Sequence, residues 1–333
     1  MPNCTPLFYF FMHFSTLPPA YAPIGQPLIC TLTEISSPTV DVRIRLSSGR
    51  LLGTKRFVKT GSASFDLAPY LRGQLRVTPS TEDATGVVAA TDRQLMIYLE
   101  AESDEELITS APFILRPALQ SETPTALLTT LPTERLLAPD ESDELLFLSG
   151  TPQPLHVVVT GRDGSVTADT HIVPGSGLFR FTLRGADFAT ADHILIDGTP
   201  TGTIRYTMLP APEGACRLAW LSERGSLEQY TFPLVERVAC RVTKNRSYGA
   251  EGYTVQRAES EEQIQLRSAL EGDEMLSTLR GLLTAEQVWM RTAEGFVPID
   301  VLSEEADIHR HGILSSLALT IRPTLKNTTL WSC

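Results

Sequence analysis

A chain of 333 residues is about twice the usual domain size, so two or three domains are expected, each able to bury its own core. Its 42% apolar and 20% charged residues exclude a disordered or collagen-like polypeptide. A net charge of −11 with a pI near 5.1 argues against a surface built to neutralise phosphates, so direct nucleic-acid binding is not expected.

The apolar run from Leu7 to Phe14, followed by Ala20-Tyr21-Ala22, admits three readings: a signal peptide, an upstream extension ahead of a start at Met12, or a genuine strand. No Lys or Arg precedes the run, and it is far shorter than the ~18 residues of a spanning helix, so no membrane span is expected. Residues 1–19 are therefore set apart as an N-terminal extension. From Pro27 onward the pattern is strand and turn. Val40–Leu46 and Leu51–Val58 flank Ser47-Ser48-Gly49-Arg50 as a hairpin, with Val40, Val42, Ile44 and Leu46 on one face. Leu95–Leu99 and Phe113–Leu115 add core strands, and residues 20–118 read as a β-sandwich of the immunoglobulin or fibronectin type.

Residues 119–144 hold Pro124, Pro132 and Pro139 among Thr, Leu and acid, and read as a linker. The acidic runs Glu100–Glu106 and Asp140–Glu144 lack the spacing of a calcium loop and read as solvated. In residues 145–210, strands at Leu155–Thr160 and Val166–Val173 flank Gly161-Arg162-Asp163-Gly164, and Phe179–Leu183 and His193–Ile196 follow, giving a second small sandwich. Residues 211–327 open with a hairpin of Cys216–Leu221 and Leu227–Phe232. They continue with a helix over Asp273–Leu283, whose Met275, Leu276, Leu279, Leu282 and Leu283 form a buried stripe. A hairpin of Gln287–Arg291 with Phe296–Val301 and a strand at Leu314–Ile321 complete an α+β module, and 328–333 is a tail. The fold class expected is mainly β: tandem immunoglobulin-like sandwiches followed by a C-terminal α+β module with one main helix.

Neither a nucleophile elbow, nor a phosphate-binding loop, nor an H-E-x-x-H motif occurs, so an enzyme is not expected and no catalytic, cofactor-binding or metal residue is assigned. Gly175-Ser176-Gly177 opens no helix and reads as a turn. Asp307, His309 and His311 share one side of an extended segment, the geometry of a weak metal site, but bystander histidines are the default. His156, His171 and His193 lie on three separate strands. The five cysteines follow no ligand spacing and read as reduced thiols, with a Cys216–Cys240 disulfide as the alternative for a secreted chain. Trp220, Tyr230, Tyr248, Tyr253 and Trp289 could form a sugar-stacking platform, although Trp220, Tyr230 and Trp289 sit in apolar strands that read as core.

The order Cys216-Arg217-Leu218-Ala219-Trp220-Leu221, Gly225, Tyr230-Thr231-Phe232, Lys244, Tyr248, Gly252-Tyr253, the helix, Val288-Trp289 and Pro298–Leu302 resembles uncharacterised structural proteins of bacteriophage and prophage tail modules. The resemblance covers about a third of the chain and implies scaffold positions only. What it implies is a virion or phage-like particle assembled in the bacterial cytoplasm, with the chain's partners being itself, in a ring or stack, and neighbouring assembly proteins. Tyr248 and Tyr253 are the expected interface anchors. The alternative is a secreted or cell-surface sandwich that binds glycan or protein as a monomer.

Overall fold

Alternation sets the strands. In Thr39–Leu46, Val40, Val42 and Ile44 are fully buried while Asp41, Arg43 and Arg45 face outward, the period of a half-buried strand. The computed structural model describes residues 11–79, 84–123, 125–324 and 327–329, and within these the chain forms two compact units. The first comprises the described parts of 1–76 and 91–122, and the second 77–90 together with the rest of the chain from 123.

The first unit is a sandwich. One sheet has the strand order His13–Thr16, Ile29–Thr33, Ser62–Asp66. The other runs Ala22–Pro23, Phe113–Arg116, Leu95–Ser103, Thr39–Leu46, Leu51–Val58, with Leu107–Thr109 beside Leu95–Ser103. Leu32, Phe65, Ile44, Ile97, Leu99 and Leu115 fill the space between them. The extension expected over 1–19 is corrected here. Met12 is buried in this core and His13–Thr16 pairs with Ile29–Thr33, because Met12 and Phe14 alternate onto the apolar face. Residues 1–10, which hold most of the Leu7–Phe14 run, lie outside the described residues. Ala22 is also buried, on a short parallel strand against Phe113–Arg116. Arg116, itself buried, ties the edges of the unit together by donating from Nε to the Tyr21 carbonyl (3.1 Å) and from Nη2 to the Gln120 carbonyl (2.6 Å).

The second unit begins with another sandwich. A four-stranded sheet in the order Ala126–Leu127, Ser142–Ser149, Gly177–Arg184, Gly86–Ala89 faces a five-stranded sheet. The latter has the order Glu134–Leu137, Gly202–Met208, Ala191–Thr199, Gln153–Gly161, Val166–Val173. Phe147, Phe181, Ile194, Ile196 and Tyr206 make the core. Two expected boundaries differ. Gly86–Ala89, inside the region assigned to the first sandwich, pairs with Gly177–Arg184. The stretch read as a linker over 119–144 supplies Ala126–Leu127 and Glu134–Leu137, the second of them parallel to Gly202–Met208. Leu127 and Leu137 are buried by these pairings, which rest on partners far along the chain and leave no local turn signal.

The rest of this unit is a nine-stranded antiparallel sheet with one principal helix. The strand order is Leu227–Phe232, Cys216–Leu221, Val288–Thr292, Gly295–Val301, Leu314–Pro323, Gly252–Arg267, Leu234–Gly249, with Asp307–His311 and Asn327–Thr329 as short additions. Helix Asp273–Arg280 starts with Asp273 and Glu274 at its positive end and runs into a 3-10 turn, Gly281–Leu283. It lays Leu276, Leu279 and Leu282 on Trp220, Phe232, Leu266 and Leu317. The protein is thus mainly β, with immunoglobulin-like sandwiches followed by an α+β module carrying one main helix. Among the described residues no helix is long and apolar enough to cross a membrane.

Candidate interaction surface

The side chains singled out for chemistry do not converge. His156 pairs with Asp197 and His193 with Thr160 on adjacent strands, a separation of four residues or about 13 Å along the strand. His171 follows Thr170, the cross-strand partner of His156, and so points to the opposite face, where it meets Phe181 edge-on at 5.2 Å. Asp307 Oδ2 and His309 Nε2 lie 3.2 Å apart on an exposed strand, and no group of three metal-ligating side chains occurs among the described residues. Gly175-Ser176-Gly177 is a turn, with Ser176 at φ +63°. Trp220, Tyr230 and Trp289 are buried, which removes them from any exposed platform. Cys216 is buried and Cys240 exposed, both as free thiols. Burial raises the Cys216 thiol to about 11 and, with the Asp66 carboxylate adding to it, the Cys30 thiol to about 12.

The acidic and Thr-rich stretch read as solvated is instead a set of buried polar clamps. Arg135 donates from Nη1 to Asp143 Oδ2 at 2.9 Å, and the Tyr206 hydroxyl donates to the same oxygen at 2.7 Å, with all three residues buried. Glu228, 1% exposed, accepts hydrogen bonds from the Thr130 amide and hydroxyl, the Thr129 hydroxyl and the Ser226 hydroxyl. Burial pushes its carboxyl above the ordinary range, against the hydrogen bonds from Thr130. Glu141 accepts from Arg217 Nη1 at 2.9 Å and from the Ala138 amide at 3.0 Å, while Arg217 Nη2 donates to the Ser142 carbonyl at 2.7 Å. The Glu228 and Arg217 contacts bind residues 129–142 to the C-terminal sheet, while the Arg135–Asp143–Tyr206 cluster lies within the second sandwich. Beside them a concavity of about 300 Å³ is lined by Asp140, Glu141, Arg184, Arg217 and Arg291. Two of its three arginines are neutralised on site, Arg217 by Glu141 and Arg291 by Asp140 at 3.6 Å, so it offers little charge to an anion.

The feature that stands apart is a β-ribbon arm formed by Leu234–Gly249 and Gly252–Arg267. Its root is core: Leu266 and Ile264 are buried and pair with Leu319 and Ile321 of the neighbouring strand. Outward of the Val238↔Ile264 pair the ribbon continues for eleven residues, from Ala239 to Gly249, or roughly 36 Å. None of residues 233–263 is buried. The register is continuous to the two-residue turn Ala250-Glu251, where Gly249 faces Gly252 and Gly252 takes φ +100°. Tyr248 and Tyr253 face one another at this tip, each 76% exposed, with ring centroids 5.0 Å apart and edge-to-face. The two tyrosines expected as anchors therefore form one pair, at the far end of the arm.

Following the register shows what reading of individual residues missed. Val238, Cys240 and Val242 share the face of Ile264, and a bulge at Asn245/Arg246 keeps Tyr248, Tyr253 and Val255 on that face too, together with Lys244 and Arg246. The opposite face carries Arg237, Arg241, Thr243, Glu259 and Gln263. On the strand Leu234–Gly249 the apolar alternation of the root thus runs on past the end of the core, exposed, with Val238 at 58% and Val242 at 48%, while the paired strand brings Glu262 and Ser260 to the same face opposite Cys240 and Val242. Period-2 alternation over 238–248 was the signal available in the sequence.

No family model matches this chain, and no curated protein matches it. Among solved structures it is similar to native alpha-2-macroglobulin from Escherichia coli, domains NIE-MG1, at 10% identity and a TM-score of 0.20, over 59% of this chain and 95% of that one. It is also similar to a tetra-tandem repeat from the extending region of a large adhesion protein, at 10% identity and a TM-score of 0.24, over 77% and 69% of the two chains. A marsupial T cell receptor matches at 8% identity and a TM-score of 0.17, over 97% and 98%. At these scores the matches assign neither a family nor a function.

Proposed function

We propose that this protein is a non-enzymatic structural component of a phage-like tail or related assembly, working through protein–protein contacts within a particle put together in the bacterial cytoplasm. The observation that supports this reading is the arm. Beyond its pairing with Asn327–Thr329 at residues 258–260 the arm is a two-stranded ribbon, marginally stable alone in water, and its exposed Val238 and Val242 and the tyrosine pair at its tip are suited to being covered by something else. Its partners are other copies of the chain and neighbouring assembly proteins. The buried carboxylates of Glu141, Asp143 and Glu228 serve the fold, since each accepts hydrogen bonds from structural donors.

The test is the solution mass of the purified full chain by light scattering over a broad concentration series, with electron microscopy of the largest species. A defined ring or stack, or a monomer that assembles as concentration rises, is expected. A strict monomer at every concentration would overturn the proposal and favour a sandwich module that recognises other molecules singly.

A further inference from the structure

Open sheet edges are kept from pairing with another chain by Lys, Pro and bulges. Among the described residues, three edge strands run for eight residues or more, and two are blunted in this way. Leu51–Val58 carries Lys55 and Arg56 and meets its neighbour through a bulge, and Leu234–Gly249 carries Arg237, Arg241, Lys244 and Arg246 and two bulges. Val166–Val173, the outermost strand of the second sandwich, has no Lys, Arg or Pro, and its register against Gln153–Gly161 is unbroken. The ladder fixes which of its backbone groups are free. Gly161 N–H donates to the Ser165 carbonyl at 2.8 Å, and alternation from that pair turns the N–H and C=O groups of Thr167, Asp169, His171 and Val173 toward the neighbouring strand. Pro154, which has no N–H to give, accordingly stands opposite Ile172. Val166, Ala168, Thr170 and Ile172 point their groups outward. Of these, the Thr170 amide donates to Asp169 Oδ1 of its own chain at 2.7 Å, and no described strand pairs with the others.

We infer that this edge pairs with the same edge of a second copy of the chain, antiparallel about a two-fold axis at Thr170, so that two five-stranded sheets become one continuous sheet. The contact goes beyond the assembly reading and stands or falls separately. The edge itself names its occupant, because it is self-complementary in one register. With the axis at Thr170, Asp169 faces His171 of the second copy, Ala168 faces its Ile172, and Thr167 faces its Val173. The acid therefore meets an imidazole on both sides of the axis, and the exposed Ile172 meets a small apolar residue. Outward-pointing groups meet only if the axis moves by whole residues along the strand. An axis at Asp169 sets two carboxylates directly opposite, and one at His171 sets two imidazoles opposite and leaves Asp169 against Val173. The imidazole is already held at the edge, edge-on to Phe181 and with Nε2 3.6 Å from Asp169 Oδ2. On pairing, the Thr170 amide exchanges Asp169 for the Thr170 carbonyl of the second copy. The paired length of 167–173 is about 24 Å, or roughly 300 Å² on each side. This is well below the about 800 Å² per partner of a stable interface, so the pair is weak and forms as concentration rises.

The experiment uses the full chain. Light scattering over a concentration series is run on the wild type, on Ile172→Lys, which places a cation on the open edge, and on Thr170→Pro, which removes an outward N–H, with the thermal midpoint of each recorded in dilute solution. In parallel, nitroxides are attached at Thr170→Cys or at Val166→Cys in a Cys4→Ser/Cys240→Ser/Cys333→Ser background, where Cys30 and Cys216 are buried, and the distance between labels is measured by electron spin resonance. The expected result is a wild-type mass that rises with concentration, and at least a tenfold higher concentration for association of either variant at an unchanged thermal midpoint. The labels at Thr170 should be close, on Cα atoms about 5.5 Å apart, and those at Val166 farther, on Cα atoms about 27 Å apart. If both variants associate at the wild-type concentration, or if the Thr170 labels lie no closer than the Val166 labels, the edge is not the contact and the inference fails while the assembly reading stands. The label distances decide the matter should a variant not fold. If the wild type stays monomeric at every concentration, both fail.

Discussion

Glu228 is the best place to probe how the crossover at 129–142 is held to the C-terminal sheet. Its carboxylate is buried and accepts hydrogen bonds from the Thr130 amide and from three hydroxyls, those of Thr129, Thr130 and Ser226. The hydroxyls can turn elsewhere in Glu228→Ala, but the Thr130 amide has a fixed direction and loses its acceptor. One unsatisfied buried donor costs about 1–3 kcal/mol. Relief of the buried carboxylate offsets part of the additional loss of packing, so a net loss of about 2 kcal/mol is expected, or roughly 4–8 °C for a cooperative unit of this size. Glu228→Gln keeps the shape: its carbonyl oxygen serves the amide, and its NH₂ donates to the Thr130 hydroxyl once that turns. It should stay within about 1 kcal/mol of wild type near pH 4.

The two forms also part with pH. Burial raises the folded pKa of Glu228 above that of the unfolded chain, so the folded protein holds this proton more tightly. Its contribution is fully present below the unfolded value of about 4.3 and is lost as pH rises through the raised folded pKa. Wild type should therefore lose stability relative to Glu228→Gln between pH 4 and 8, as measured by urea unfolding at several pH values. Equal stability of Glu228→Ala and wild type near pH 6, or a Gln advantage that grows toward low pH, would refute the clamp.

Other expectations follow from neighbouring features. Arg135→Met strands the buried Asp143 carboxylate and should cost about 3–5 kcal/mol, while Arg135→Met/Asp143→Leu should cost less than the sum of the single changes in a double-mutant cycle. Leu266→Ala, at the buried root of the arm, should cost about 2–5 kcal/mol by urea unfolding, whereas Val242→Ala, farther out on the same face, should change monomer stability by no more than about 0.5 kcal/mol. Gly185→Ala would press a Cβ onto the carbonyl oxygens of Ala138 and Glu141 and should lower the thermal midpoint, with a loss of at least about 1 kcal/mol. In the Cys4→Ser/Cys333→Ser background, a thiol reagent at neutral pH should modify Cys240 in the monomer and reach Cys30 and Cys216 only on unfolding.

Locally written structure was legible. The 39–58, 153–173 and 216–232 hairpins carry their turn residues between alternating strands, and Leu276, Leu279 and Leu282 announce the helix by spacing alone. What escaped was written at a distance. Glu134–Leu137 is a strand because Gly202–Met208 lies beside it, and Asp143 looks like a solvated acid until Arg135 and Tyr206 close on it. Tyr248 and Tyr253 could be named as exposed aromatics from their Gly-containing segment. That they form one pair at the tip of a ribbon left exposed beyond its root depends on a register running from Leu234↔Arg267 to Gly249↔Gly252, with two bulges that no composition reveals.

The lending of Gly86–Ala89 to a sheet completed by Gly177–Arg184 fixes an order of events on the ribosome. The sequence of the first unit is finished at residue 122, yet the borrowed segment inside it then has no partner. At ~5–20 residues per second, the roughly 90 residues separating the two strands take about 5–20 s to synthesise. For the last roughly 55 of those residues, about 3–11 s, the nascent chain carries an unpaired β-segment although the first unit is already complete in sequence. Severing the polypeptide after residue 122 would make the interval permanent and would also strip the second sandwich of its outermost strand, so neither half is a faithful substitute for its counterpart in the intact protein.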